Sequence, residues 1–448
     1  MTLQDIHKIY FLGIGGIGMS ALARYFNARG IEIHGYDKTE TTLTKKLVDE
    51  GMTIHYEEDI KKIPSGIDLV IYTPAIPKTN SELHFLKSIN CSFKKRAEVL
   101  GMISRAQRTI AVAGTHGKTT TSSILTHILH TGGVDCTAFL GGIAQNFKSN
   151  YVEGKGEWVV VEADEYDRSF LQLSPDIAVI TNMDADHLDI YDNVEAMHDS
   201  GFKEFVKKMK PNGQLFLQHK LTEYFPEKLF ETYGIEEGNY RAEKVRVENG
   251  WFVFELGEKS DEPLKFSLPG RHNVENAMAA IAVAIQLGVS YGSIKKALET
   301  FKGIKRRFEF VYRDEKTILI NDYAHHPTEL TAAIGAAKEL FPNRKIMGIF
   351  QPHLYSRTRD FQDGFAAALD GLDEVLLMDI YPAREEPIPG ITSEIIFEKM
   401  KNPNKDLVWR TNLMNVLKTK DLEVVLTLGA GDINTFVEPI HEYLVSLK

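Results

Sequence analysis

Along most of this chain, short runs of apolar residues alternate with longer stretches in which apolar positions recur at helical spacing. Lys8-Ile-Tyr-Phe-Leu12, Ile31-Glu-Ile-His-Gly35 and Leu69-Val-Ile-Tyr72 read as strands, with a helix over Met19 to Ala28 between the first two. Thr109-Ile-Ala-Val-Ala113 repeats the theme and leads into helical spacing over Ser122 to Leu129; Trp158-Val-Val-Val161 and Ile177-Ala-Val-Ile180 follow. Further strands are expected at Thr317 to Ile320, Lys345 to Phe350, Glu374 to Met378 and Val424 to Leu428. Near-continuous apolar runs suit strands buried on both faces of a parallel sheet, so the pattern predicts an α/β protein. Around Trp251-Phe-Val-Phe-Glu255 the pattern changes to an alternating one, and an antiparallel strand is expected there.

Length divides this pattern. At 448 residues the chain exceeds one ordinary core, and at roughly 100 to 200 residues per domain about three domains are expected. Breaks in the pattern near Ser104 to Arg108 and after Lys305-Arg-Arg-Phe308 give 1–106, 107–312 and 313–448. Charge narrows the function. With 52 basic and 62 acidic residues the net charge is −10, which argues against nucleic acid as a partner. Cys91 and Cys136 are too few for a disulfide framework and fit a reducing, cytoplasmic setting. No run of about 18 apolar residues occurs, so membrane insertion is not expected.

The segment Gly114-Thr-His-Gly-Lys-Thr-Thr120 stands between an apolar strand and a helix. That order points backbone N–H groups and a helix N-terminus at an anion. Lys118 then reaches terminal phosphates and Thr119 offers a hydroxyl to Mg²⁺. Val112 stands where the standard loop has its first glycine, so the loop is a shortened variant. A second turn, Gly13-Ile-Gly-Gly-Ile-Gly18, follows the first strand, and Asp37 ends the next one. It fits a nicotinamide cofactor, another nucleotide diphosphate such as a UDP-sugar, or tight strand–helix packing; Asp37 fits a ribose contact or a turn cap.

Two acidic clusters, Glu162-Ala-Asp-Glu-Tyr-Asp167 and Asp184-Ala-Asp-His-Leu-Asp189, also follow buried-type strands. Hard oxygen donors beside a Lys-Thr loop favour Mg²⁺; His187 suits a ligand or a hydrogen-bonding role. Arg306-Arg307, Asn321-Asp-Tyr-Ala-His-His-Pro327 and Gln351-Pro-His-Leu-Tyr-Ser-Arg-Thr-Arg359 gather cationic, aromatic and imidazole groups near strand ends, as a pocket for carboxylate and phosphate requires.

In their order along the whole chain, Gly13 to Ser20, Gly114 to Thr120, Glu162-Ala-Asp-Glu165, Asp186-His187, His272-Asn-Val-Glu-Asn276 and Asp322 to Glu329 resemble the Mur ligases, and among them the alanine-adding branch. Pro382 to Gly390 and Leu428-Gly-Ala-Gly-Asp432 add to the likeness. The resemblance implies three modules: an N-terminal Rossmann-like domain for a UDP-sugar, a central P-loop ATPase-type domain with a parallel or mixed sheet, and a C-terminal Rossmann-like domain for the amino acid. It implies ATP and Mg²⁺ as cofactors, UDP-N-acetylmuramate and L-alanine as substrates, and a monomer or homodimer.

By the same resemblance, Gly15, Gly16, Ile17, Gly18, Ser20, Asp37 and Thr73 serve the UDP-sugar. Gly114, Thr115, His116, Gly117, Lys118, Thr119 and Thr120, with His272, Asn276, Arg307 and Asp322, serve ATP. Thr119, Glu162 and His187 hold the metal, and Tyr323, His325, His353 and Arg357 orient the amino acid. Lys118, His187, Arg307, His325 and Arg357 are the expected catalytic set. Two positions depart from the family pattern: Glu195 to Gly201 lacks the lysine that sister ligases carbamylate, and Leu354 follows His353 where many alanine-adding members have arginine. A nucleotide-driven regulator remains the reading from a different class.

Overall fold

The computed structural model describes all residues except 1–4, 90, 186–187, 192, 258–261, 384 and 448. Its first sheet contains Lys8–Leu12 (β1), Glu32–Tyr36 (β2), Thr53–His55 (β3), Leu69–Tyr72 (β4) and Ser92–Lys95 (β5). These lie in the order β3-β2-β1-β4-β5, all parallel. That is the strand order of a Rossmann-like half, with its topological switch point between β1 and β4. Helix α1 (Ile17–Asn27) leaves β1 through the glycine turn and buries Leu22, Ala23, Tyr25 and Phe26. Thr42–Asp49 (α2), Ser81–Ser88 (α3) and Arg96–Ala106 (α4) are the remaining helices of this part.

The second sheet begins with Arg108–Ala113 (β6), followed by helix α5 (Lys118–Thr131), Cys136–Ala144 (β7), Ser149–Val152 (β8) and Trp158–Ala163 (β9). Ile177–Ile180 (β10), Gln214–Gln218 (β11) and Phe230–Ile235 (β12) come next. The order β12-β11-β10-β6-β9-β7-β8 puts β6 between β10 and β9; only β8 runs antiparallel, against β7. β10 and the Ile110–Ala113 stretch of β6, both apolar and buried, occupy the centre, as burial on two faces requires. Tyr240–Glu248 (β13) pairs with β12 through Tyr240 to Ala242.

The described chain forms two compact units. The first holds both sheets above together with residues 275–300, because α1 and α4 bury apolar faces against the second sheet's surroundings. Tyr25 packs on Phe139 at 5.3 Å between ring centroids, and a side chain at Gly101 would meet the Gln172 carbonyl oxygen at 2.4 Å. The stretch from Ser104 to Arg108 is the turn from α4 into β6, and apolar residues on both sides of it fall in one buried cluster.

The second unit comprises residues 244–255, 260–274 and 301–448. In it Trp251–Glu255 (β14) pairs antiparallel with Leu264–Phe266 (β15), as the alternation predicts. Its main sheet contains Glu309–Arg313 (β16), Ile318–Asp322 (β17), Ile346–Phe350 (β18), Glu374–Met378 (β19), Lys405–Val408 (β20) and Val424–Leu428 (β21). The order is β16-β17-β21-β18-β19-β20, parallel except for β16. Register aligns Asp322, Leu428 and Phe350, so the loops after β17, β21 and β18 leave one edge together. No described helix is long and apolar enough to cross a membrane.

Candidate active site

The phosphate loop leaves β6, and its conformation depends on two glycines. Gly114 has φ +134° and Gly117 has φ +81°, values that side-chain-bearing residues rarely adopt. Space is equally restrictive: a Cβ at Gly114 would lie 2.0 Å from Thr181 Oγ1, and one at Gly117 2.4 Å from Asn276 Oδ1. Gly117 is the N-cap of α5 and has no side chain to cap it, so first-turn N–H groups are left for an anion.

The loop is held from beneath by the strand next door. After β10, the Asn182 amide oxygen accepts from His116 N at 2.9 Å, the Thr181 hydroxyl donates to Ala113 O at 3.2 Å, and Asp184 N donates to Thr115 Oγ1 at 3.0 Å. Thr181 and Asn182 escape a motif search because they are ordinary residues one and two positions past a strand. Their role comes from β10 pairing with β6.

Lys118 folds back over the loop, donating to Gly114 O at 2.6 Å and to Glu165 Oε2 at 2.7 Å. The lysine side chain is 12 % exposed and Glu165 is 0 %, so this is a buried ion pair. Burial alone would lower the lysine pKa, but the carboxylates of Glu165, Asp164 and Glu162 outweigh it and raise the pKa above its ordinary value. Lys118 is thus a fixed cation. Thr119 donates to both oxygens of Glu162 at 3.0 and 2.9 Å. Val112 pairs with Glu162 in the β6–β9 register, which brings this carboxylate level with the loop. Gly141 of β7 lies close against the same carboxylate: a Cβ there would lie 2.0 Å from Glu162 Oε2.

The hard oxygen donors of Thr119 and Glu162 fit a Mg²⁺ ion, and the missing side chain at Gly141 leaves the space that the Glu162 carboxylate fills. His187, expected as a further ligand, lies outside the described residues, as does Asp186. Where the sister ligases have a lysine, the chain forms a π-helix over His198–Lys203, and His198 Nε2 lies 2.8 Å from the Met183 carbonyl. Asn276 sits within the first turns of Arg271–Gln286 and accepts from the Thr121 hydroxyl at 3.3 Å, beside the start of α5. Thr120 is buried in that same first turn of α5.

In the first sheet the glycine turn lies at the switch point. Gly13 N and Ile14 N donate to the Tyr36 carbonyl at 2.8 and 3.1 Å, and a Cβ at Gly13 would touch Thr73 Cγ2 at 2.7 Å. Gly16 caps α1 and Ile17 begins it; a Cβ on Gly18 would lie 2.9 Å from Arg96 Nη1. Asp37 accepts from Gly15 N at 2.8 Å and Thr39 N at 3.2 Å, serving both the loop and the following turn. Ser20 is buried and donates to the Ile17 carbonyl at 2.9 Å.

The second unit gathers its own cluster after β17. Arg306 lies 4.7 Å from the Tyr323 ring centroid and Arg307 5.1 Å; Arg307 also stands 3.7 Å from Glu329. Asp322 accepts from Phe308 N and Ala324 N at 2.7 Å each. Burial pushes its pKa up to about 6, against the opposing pull of Arg307 and those two amides. His325 Nδ1 lies 2.9 Å from the Tyr323 carbonyl oxygen and 3.2 Å from Glu329 Oε2.

His325 and His353 pack edge to face at 5.9 Å, and His353 stacks on Tyr381 at 5.8 Å. Leu354 takes φ +70° and caps the helix Tyr355–Leu369, whose first turn buries Arg357. Arg359 is exposed and pairs with Asp360 at 2.7 Å. His272 opens the helix Arg271–Gln286 and is exposed.

Glycine loops at the switch points of parallel sheets, a buried loop lysine and adjacent oxygen donors define a nucleotide-phosphate-binding α/β protein. The family descriptions "Mur ligase family, catalytic domain", "Mur ligase middle domain" and "Mur ligase, glutamate ligase domain" match residues 8–108, 112–284 and 306–431. The UDP-N-acetylmuramate–L-alanine ligase of Flavobacterium johnsoniae is 50% identical over 451 residues, covering 99% of each chain. The crystal structure of the UDP-N-acetylmuramate–alanine ligase of Thermotoga maritima is 32% identical, covers 98% of this chain and 100% of its own, and superposes with a TM-score of 0.85. A murein peptide ligase from Psychrobacter arcticus is 25% identical with a TM-score of 0.70, covering 98% of each chain. The chain belongs to the Mur ligase family.

Proposed function

We propose that this chain is an ATP-dependent carbon–nitrogen ligase of peptidoglycan precursor synthesis, joining L-alanine to the lactyl carboxylate of UDP-N-acetylmuramate in the cytoplasm. The observation that carries the reading is the arrangement around the phosphate loop: Lys118 beside Glu165, and Thr119 on Glu162, at the ends of neighbouring strands. Its support from relatives is the 50% identity to the Flavobacterium johnsoniae enzyme along the full chain. Three functional modules are assigned, 1–106 for the UDP-sugar, 107–312 for ATP and 313–448 for the amino acid.

A carboxylate resists amine attack because it is anionic and has a poor leaving group. Transfer of the γ-phosphoryl group of ATP onto one lactyl oxygen, with loss of ADP, yields an acyl phosphate. The amine of L-alanine then attacks the acyl carbon, and phosphate departs with the oxygen that the carboxylate contributed. Positioning and electrostatic stabilisation dominate phosphoryl transfer. Lys118 and the amides of the loop hold the phosphates, and Arg307 supplies a second cation. Thr119, Glu162 and His187 would hold Mg²⁺, which neutralises phosphate charge when bound. Asn276, His272 and Asp322 serve the nucleoside, while Gly15 to Gly18, Ser20, Asp37 and Thr73 serve the UDP-sugar. Tyr323, His325, His353 and Arg357 orient L-alanine, with the imidazole of His325 held by Glu329.

Phosphate release measured with each substrate omitted in turn tests the reading. The expected result is strict dependence on ATP, Mg²⁺, UDP-N-acetylmuramate and L-alanine together. ATP turnover independent of the sugar and the amine would support a regulator instead. The likeness to the Psychrobacter arcticus protein gives the comparison a second arm: turnover with a tripeptide and none with L-alanine would point to peptide recycling. With ¹⁸O in the lactyl carboxyl group, one labelled oxygen is expected in the released phosphate.

A further inference from the structure

Helix α1 and strand β8 meet at a buried polar joint that none of the assigned roles explains. Asn150, on β8, is fully buried. Its Nδ2 donates to the Ile17 carbonyl at 2.5 Å and to the Ser20 hydroxyl at 2.9 Å, while its Oδ1 accepts from Arg24 Nη1. Residues 17, 20 and 24 are three and four positions apart, so they form one stripe along α1. Arg24 is itself buried, and its Nε and Nη2 donate to Glu50 at 2.7 to 3.0 Å. Around this amide, Tyr25 packs on Phe139 and Tyr151, and Arg29 lies 3.5 Å from the Tyr25 centroid.

Apolar contact alone would hold α1 against the β7–β8 hairpin, but it tolerates sliding and rotation. A side-chain amide with both donors and its acceptor engaged fixes the helix in angle and height, because any slip leaves buried polar groups unpaired. The residue it grips, Ile17, is the first of α1 and directly follows Gly16 of the glycine turn. The other strand of the same hairpin, β7, places Gly141 against Glu162. One hairpin therefore touches the start of α1 beside the first glycine loop and, at its other strand, the carboxylate that faces Thr119 of the phosphate loop.

We propose that Asn150 is a positioning residue of the first glycine loop, setting the loop and the start of α1 for the UDP-sugar from a strand of the ATP-binding sheet. The inference rests on the reading that this loop takes the UDP-sugar. Steady-state kinetics of full-length Asn150→Ala and Asn150→Asp test it. Aspartate keeps the acceptor for Arg24 and loses both donors to α1.

Both variants are expected to raise the KM for UDP-N-acetylmuramate on the order of tenfold and to leave the KM for ATP within about twofold. Hydrogen exchange of the unliganded variants should be faster at the amides of 14–20 than in the wild type. A purely structural role would lower the active fraction, reducing kcat with both KM values unchanged, and would overturn the proposal; so would unaltered exchange at 14–20. If alanine prevents folding, Asn150→Asp alone decides. If that variant also fails, exchange in the wild type decides: protection at 14–20 that matches the peripheral loops rather than the Asn150 strand overturns the proposal. Wild-type protein lacking UDP-sugar-dependent phosphate release would refute the functional reading, while the exchange result would still report on the joint.

Discussion

Replacing Gly141 by alanine displaces Glu162 without removing any charged group. The new Cβ would stand 2.0 Å from Oε2 and 2.6 Å from Cδ of Glu162, far inside the roughly 3.5 to 4.0 Å at which carbon contacts are comfortable. The carboxylate is the softer partner, so it swings away, and in doing so it leaves the Thr119 hydroxyl, now at 2.9 and 3.0 Å from its two oxygens. A hydrogen bond to a charged acceptor contributes about 1.5–3 kcal/mol. Gly141 is exposed, so water replaces part of what is lost. The lower end of that range corresponds to about a tenfold change in an equilibrium constant.

The Mg²⁺ concentration for half-maximal phosphate release should therefore rise about tenfold in Gly141→Ala, with the KM for L-alanine unchanged. A magnesium titration followed by phosphate release reads this directly. A midpoint within twofold of the wild type would falsify the assignment of Glu162 to the metal and the account of why β7 carries glycine there.

Lys118→Ala should lower turnover by about a hundredfold or more, as loss of a preorganised cation does; near-normal ADP formation would remove Lys118 from the chemistry. The same change strands the buried Glu165, so the midpoint of thermal unfolding should fall, whereas Lys118→Ala combined with Glu165→Gln should recover much of that loss. Asp322 has a folded pKa of about 6 against 3.8 for the unconstrained group. The folded state therefore holds the extra proton between about pH 4 and 6, and this group's contribution to stability declines as pH rises through that window and is level above it. Denaturant unfolding should show Asp322→Asn gaining relative to the wild type from pH 4 to 6, and a difference that stays flat would contradict the buried-carboxylate account. Arg357→Ala should raise the KM for L-alanine more than that for ATP; equal effects would indicate a defect in folding or closure.

The sequence by itself determined what depends on neighbours along the chain. Apolar runs located β1, β4, β10, β14 and β19 at their observed limits, because a strand buried on both faces must be apolar along its length. The phosphate loop was equally legible, since glycine marks backbone that other residues strain to adopt and Lys118-Thr119 names the chemistry. β7, with Gly141-Gly142 and two alanines, carries little of the β-branched signature and was not singled out. Tertiary structure alone decided which strand ends meet. Glu162 faces Thr119 because β9 pairs with β6, and Thr181 and Asn182 support the loop because β10 flanks β6 on its other side. The packing of α1 and α4 was hidden for a similar reason: their faces are apolar in sequence, but only folding shows that the surface covering them belongs to the next sheet. Periodicity says that a face must be buried; the partner is fixed by pairing between residues more than a hundred positions apart, such as Asn150 and Ile17.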